Sequence, residues 1–337
     1  MRGVVSAKTR WRGWLLYSLA WLTAWVVGSS VSALILDASD DTGNTTPPDP
    51  AWGWSNVGTR PGGTSSVVYL GNRWVATAAH IGAGITEFGG IRYEPVAGSP
   101  VQLKNPDGTK ADLILFQLRT DPELPTLELA QHPPRIGQEV TLVAQGSARG
   151  HPITVDSEEG LIDGFMWAEG GTRRWGTNQV TGTLGPVRHG EGYTQAFAMT
   201  FEAIDRPAST AYEAAAALGD SGGAVFGHAD VLQPERGLAL VGIIFSVSNR
   251  PDAPHRSSLY GSATFAADLA FYRDQILQVT HLDCPPNTRR SGLNDGLCPP
   301  DQTPLSTTSS RLYLAVFVLL LGLVAGLSFL IRRRSSP

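Results

Sequence analysis

The chain has 337 residues, 42% hydrophobic and 17% charged, with a formal net charge of −4. No long basic stretch lies outside the termini, so nucleic acid is not an expected partner. Apolar segments at both ends exclude a single soluble domain spanning the whole chain.

The first element is at the N-terminus. Arg2, Lys8, Arg10 and Arg12 precede an apolar run over 14–27, which closes on the small residues of Val31-Ser32-Ala33. A basic start, an apolar middle and small residues at the end predict a secretory signal peptide over 1–33, cut after Ala33. An uncleaved anchor is the alternative, because Leu34-Ile35-Leu36 extends the run. Residues 51–280 are long enough for one domain with a sizeable core. Their many glycines and prolines suit short strands joined by turns. Lysine occurs only at Lys8, Lys104 and Lys110, while arginine is common. That bias fits a GC-rich genome and says nothing about mechanism.

Val67-Val68-Tyr69-Leu70, a turn at Gly71-Asn72, and Arg73-Trp74-Val75-Ala76-Thr77-Ala78-Ala79-His80 predict a hairpin whose second strand ends at a histidine. Next comes Ala111-Asp112-Leu113-Ile114-Leu115-Phe116-Gln117-Leu118, an acid at the mouth of an apolar strand. Asp107 is the near competitor, but Asn105-Pro106-Asp107-Gly108 reads as a turn. Further on stands Gly219-Asp220-Ser221-Gly222-Gly223. A serine hydroxyl is a poor nucleophile without a base to take its proton and fixed donors for the oxyanion that forms. Flanking glycines allow a tight turn and leave backbone N–H groups bare.

The tail comes last. Cys284 and Cys298 lie in a Pro/Ser/Thr-rich stretch over 281–311, read as a stalk. Two nearby cysteines in an oxidising compartment are expected to pair, contributing about 3 kcal/mol. A metal site including His281 is the rival, but it lacks an evident fourth ligand. No metal and no cofactor is therefore expected. Residues 312–331 carry no charge and run into Arg332-Arg333-Arg334. They predict a transmembrane helix, with 332–337 as a cytoplasmic tail and the body of the protein outside the cytoplasmic membrane. The tail also resembles a bacterial sorting signal, but no LPxTG or Pro-Glu-Pro block precedes it.

In order, the blocks ending at His80, starting at Asp112 and centred on Ser221 resemble the three signature blocks of chymotrypsin/trypsin-like serine proteases, in a bacterial-looking chain. The flanking strands over 137–146, 240–244 and 260–276 extend the resemblance over most of 51–280. It implies an all-β fold of two six-stranded Greek-key barrels closed by a C-terminal helix. It implies a serine endopeptidase acting on a protein or peptide. His80 would be the base, Asp112 would orient it, Ser221 would attack, and the Gly219 and Ser221 N–H groups would form the oxyanion hole. The primary pocket would be set by Ala215, Ser246 and Gly261. Ala215 at its base, without a carboxylate, implies small or apolar P1 residues. The family's serine three places after the glycine matching Gly242 is here Phe245, with Ser246 next, so a bulge or a slip by one stays open. Asp220 matches an acid that, in activated members, pairs with a newly freed N-terminal amine. No Arg-Ile-Val-Gly-Gly-like site lies between Leu34 and Val67, so another cut or an internal partner stays open. The remaining histidines, His189 and His228 among them, read as surface or loop residues. The alternative function is a catalytically silent binding module on the same fold. Oligomeric state is not legible.

Overall fold

Short runs of β-branched and apolar residues, bounded by glycine turns, set the described chain out as nineteen strands and one closing helix. The computed structural model describes residues 33–37, 43–51, 53–62, 65–182, 185–189, 192–228 and 237–283. The chain divides into two compact units, Met1–Ile276 and Leu277–Pro337. Both large sheets lie in the first. Of the second, only 277–283 is described, starting with the last turn of the helix.

Strand β1 (Ile35–Leu36) is the first element among the described residues. The first sheet holds β2 (Val57–Thr59), β3 (Ser66–Gly71), β4 (Trp74–Thr77), β5 (Thr86–Phe88), β6 (Ile91–Tyr93), β7 (Val101–Lys104) and β8 (Lys110–Gln117). Its antiparallel order is β6-β5-β2-β3-β4-β8-β7. The second region holds β9 (Glu139–Ala144), β10 (Ala148–Ser157), β11 (Gly160–Ala168), β12 (Arg174–Gln179), β13 (Gly185–His189), β14 (Gly192–Thr200), β15 (Ala214–Ala215), β16 (Ala224–His228), β17 (Leu238–Ser248), β18 (Ser257–Leu259) and β19 (Ala263–Asp268), then helix α1 (Leu269–Thr280). Its main sheet runs β12-β9-β16-β17-β19-β14-β13, while β10-β11-β18 and β1-β15 form smaller sheets.

The expected pair of six-stranded closed barrels is corrected in two ways. Each large sheet has seven strands, and neither closes by a ladder among the described residues. In the first sheet the edge strands β6 and β7 have three and four residues, too short and too exposed to seal the gap. In the second, β12 and β14 approach through the single bridge Val180–Met199. The mostly β architecture with two sheets and a C-terminal helix stands. Among the described residues no helix is long and apolar enough to cross a membrane. Residues 1–32, 312–337 and both cysteines lie outside the described residues.

Each large sheet has its own core. Val67, Tyr69, Val75, Phe88, Phe116 and Leu118 pack together in the first. Leu142, Phe197, Met199, Val225, Val241 and Ile244 are among those in the second. Polar bonds stitch the two together. The Asn105 amide donates to Tyr193 O at 2.8 Å, and Tyr272 O–H donates to Asn105 Oδ1 at 2.7 Å. These buried groups are worth little net, but each would be expensive left unpaired, so they fix the β7–β8 turn against β14 and α1.

Candidate active site

His80 is placed by the β3–β4 hairpin. Asn72 and Arg73 take positive φ of 50° and 65°, the primed-turn geometry that matches the twist of the flanking strands. Strand β4 stops at Thr77, and His80 stands three residues further on in a turn closed by Ile81 N–H to Ala78 O. Register pairs Thr77 with Ile114, so Asp112 on β8 comes opposite that turn. His80 Nδ1 then lies 2.7 Å from Asp112 Oδ2, and the His80 backbone N–H donates to Oδ1 at 2.9 Å. The imidazole is 47% exposed and the carboxylate 12%, so the ring faces solvent with its acid behind it. Burial pushes the Asp112 carboxyl up. The two hydrogen bonds from His80, with its charge, outweigh that and leave it below the usual carboxylate range. Asp107, the competitor, bonds only its own turn, through Thr109.

Ser221 reaches the same end of the molecule through the backbone. Its carbonyl accepts the Ser66 N–H at 2.9 Å, and Ser66 O accepts Thr77 Oγ1–H at 2.8 Å. Gly222 sits against both. It has φ +84°, and a Cβ there would overlap Ser66 O and Thr77 Oγ1. The close approach of the Ser221 loop to β3 and the end of β4 therefore demands glycine. No hydrogen bond joins Ser221 Oγ to His80 among the described residues; such contacts are often open without substrate.

The loop before Ser221 is wound by its own bonds. Asp220 N–H goes to Ala217 O, Gly223 N–H to Asp220 O and Gly222 N–H to Ile244 O. Gly219 takes φ +95°. Among the described residues, neither the Gly219 nor the Ser221 N–H has an acceptor. Two backbone donors are thus left free beside a serine, the arrangement an oxyanion needs.

Asp220 is fully buried. Its Oδ2 accepts the Ala217 N–H at 2.8 Å. Burial raises its pKa to about 8, against the N–H groups of Ala217 and Leu34 and the charge of Arg174. Leu34 N–H faces the carboxyl without closing a bond, and Oδ1 has no hydrogen-bond partner. The group nearest that oxygen comes from a segment that the sequence places before the domain. Residues 33–36 are all buried, and Ile35 and Leu36 pair with Ala215 and Ala214.

Ala215 is 3% exposed and packs with Ile35, Phe201 and Ala217, flanked by Phe165, Trp167 and Tyr260. Asp37 and Asp163 lie beside Tyr260 at its edge. Register between β17 and β19 shifts between Ile244 and Ser246, so Phe245 is a bulge residue and Ser246 pairs with Phe265. Gly261 has φ +88° and lies beside the Arg250 guanidinium. A cleft of about 430 Å³ lies between β10, β11 and Tyr260, and includes Asp163 and Phe165. None of His80, Asp112 or Ser221 lines it. Among the described residues no group of His, Cys, Asp and Glu is gathered to hold a metal.

Two contacts were not legible in the sequence. Thr194 on β14 accepts the Asp112 N–H, and His189, read as a surface histidine, reaches Thr194. No motif marks either, because both come from a strand pair distant in the chain.

No family model and no curated protein matches the chain. Solved structures do. Neuropsin, a serine protease expressed in the limbic system of mouse brain, shares 17% identity over 64% of this chain and 88% of its own, with TM-score 0.39. An inactive form of Rv3671c from M. tuberculosis H37Rv shares 14% over 66% and 83%, with TM-score 0.37. A scabies mite inactivated protease paralogue shares 17% over 67% and 92%, with TM-score 0.38. At TM-scores below 0.5 these likenesses decide nothing about this chain, whose function must be read from the geometry of its own site.

Proposed function

We propose that the chain is a serine endopeptidase held outside the cytoplasmic membrane by residues 312–331. Ser221 Oγ attacks the scissile carbonyl, His80 takes its proton and passes it to the leaving amine, and Asp112 stabilises the imidazolium. Gly219 and Ser221 N–H groups receive the oxyanion, and water then hydrolyses the acyl-enzyme. The observation that carries this reading is the pair of unclaimed N–H donors at Gly219 and Ser221, on a loop packed against Ser66 and against Thr77, the last residue of the strand that leads to the Asp112-bound His80. The apolar residues packed on Ala215 favour small or apolar P1 side chains, since a cation buried directly against them would be desolvated.

Maturation belongs to the same reading. Removal of a leader after Ala33 makes Leu34 the N-terminus. Its ammonium then faces the orphaned Asp220 Oδ1 and converts a neutral buried acid into one half of an ion pair. The loop that carries Gly219 is thereby ordered by export itself.

A silent binding module on the same scaffold is the second reading, favoured by the missing bond between Ser221 and His80. A fluorophosphonate probe separates the two, because it bonds covalently only to an activated serine.

A further inference from the structure

His189 Nε2 lies 2.7 Å from Thr194 Oγ1, and the same oxygen accepts the Asp112 N–H at 2.7 Å. Thr194 is fully buried. A hydroxyl has one hydrogen and two lone pairs. One lone pair is taken by Asp112. Among the described residues, His189 Nε2 is the only acceptor in reach of the hydrogen. Thr194 O–H therefore donates, and His189 Nε2 is the acceptor of that bond. Phe245, thrown out of ladder register by the β17 bulge, packs edge-on against the same ring, with centroids 6.2 Å apart at 70°. Three strands of the second sheet thus converge on the main chain of one residue of the first.

We infer that His189 is a positioning residue for the proposed peptidase site. Acting through Thr194, it fixes the Asp112 backbone so that the carboxylate meets both N–H groups of His80. Without an acceptor, the buried Thr194 hydrogen must turn elsewhere, and the oxygen no longer presents its lone pair to Asp112. The Asp112–His80 bond then loosens in the state where it matters most, with His80 charged. The inference rests on the proposed function and deepens it.

The test compares His189→Phe, which keeps a ring beside Phe245 but removes the acceptor, with His189→Gln, whose Oε1 restores one. Fluorophosphonate labelling rate, kcat and KM on a p-nitrophenyl ester, and the downfield proton resonance of His80 Nδ1–H are read in each. For His189→Phe the expected result is a fall of about tenfold in labelling and kcat with KM unchanged, the scale of one buried hydrogen bond. The resonance moves upfield, and His189→Gln returns rate and resonance toward wild type. Wild-type labelling with an unmoved resonance in His189→Phe, or a His189→Gln enzyme as slow as His189→Phe, overturns the inference. Should His189→Phe fail to fold, Thr194→Val against Thr194→Ser reads the same contact, and equal rates in those two overturn it. A wild-type protein that takes no label refutes the peptidase reading instead. The resonance comparison then decides the positioning role alone.

Discussion

At the residue scale the site depends on a glycine that cannot be replaced and on an alanine that can. Gly222→Ala places a methyl against Ser66 O and Thr77 Oγ1 at a φ that side chains avoid. Such strain costs about 1–3 kcal/mol before any clash is relieved. The expected result is a loss of stability of at least that amount in chemical denaturation, with labelling lost; a Gly222→Ala enzyme of native stability contradicts the close approach. Ala215→Asp puts a carboxylate into an apolar cluster and is expected to raise cleavage after arginine or lysine. A positional-scanning peptide library reads it, and a wild-type preference for basic P1 residues would mean the pocket lies elsewhere. Of the residues in the site, His80, Asp112 and Ser221 were legible because each sits in a local pattern that fixes its backbone. Thr194 and His189 were not, because their roles arise only when β14 packs on β8, and no local pattern encodes that encounter.

At the element scale, β1 has the sharpest consequence. Sequence reading set residues 34–50 outside the domain, because a run next to a leader looks like leader. Its burial on β15 is a long-range pairing that periodicity does not report. With a residue still joined to Leu34, Asp220 stays protonated in the folded chain up to about pH 8, while the unfolded chain releases its proton near the ordinary value of 3.8. The folded state holds more protons across that window, so stability falls as pH rises from about 4 to about 8. Glu213, fully buried and pushed up to about 7 by burial, adds to the same slope. A chain beginning at Leu34 reverses the Asp220 contribution. Its amine is held charged by the pair, and stability persists until pH rises through an amine pKa above the ordinary value of about 8. Asp220→Asn is then expected to be mild in the longer chain and to cost about 3–5 kcal/mol in the chain beginning at Leu34, where it strands a buried ammonium. Equal effects of Asp220→Asn on the thermal stability of both chains contradict the pairing. The β17 bulge was half legible: Phe245 stood where a serine was expected, but only register identifies it as an extra residue.

At the scale of the whole molecule, two sheets bring together what neither holds alone: β4 and β8 carry His80 and Asp112, while the loop before β16 carries Ser221. The leader and anchor expected from length and flanking charge lie outside the described residues, but for Ala33. Residues 34–311 are expected to be accessible outside the cytoplasmic membrane, and a tag after Pro337 to resist external protease in intact cells. Digestion of that tag contradicts the topology, and deletion of 312–337 is expected to release active enzyme into solution. The most direct test of the central claim is fluorophosphonate labelling of a chain spanning 34–311, with the adduct mapped by mass spectrometry. One adduct is expected, on Ser221, absent in Ser221→Ala and reduced by orders of magnitude in His80→Ala while both variants keep wild-type thermal stability. No adduct on the folded wild-type protein, or undiminished labelling in His80→Ala, would contradict the claim.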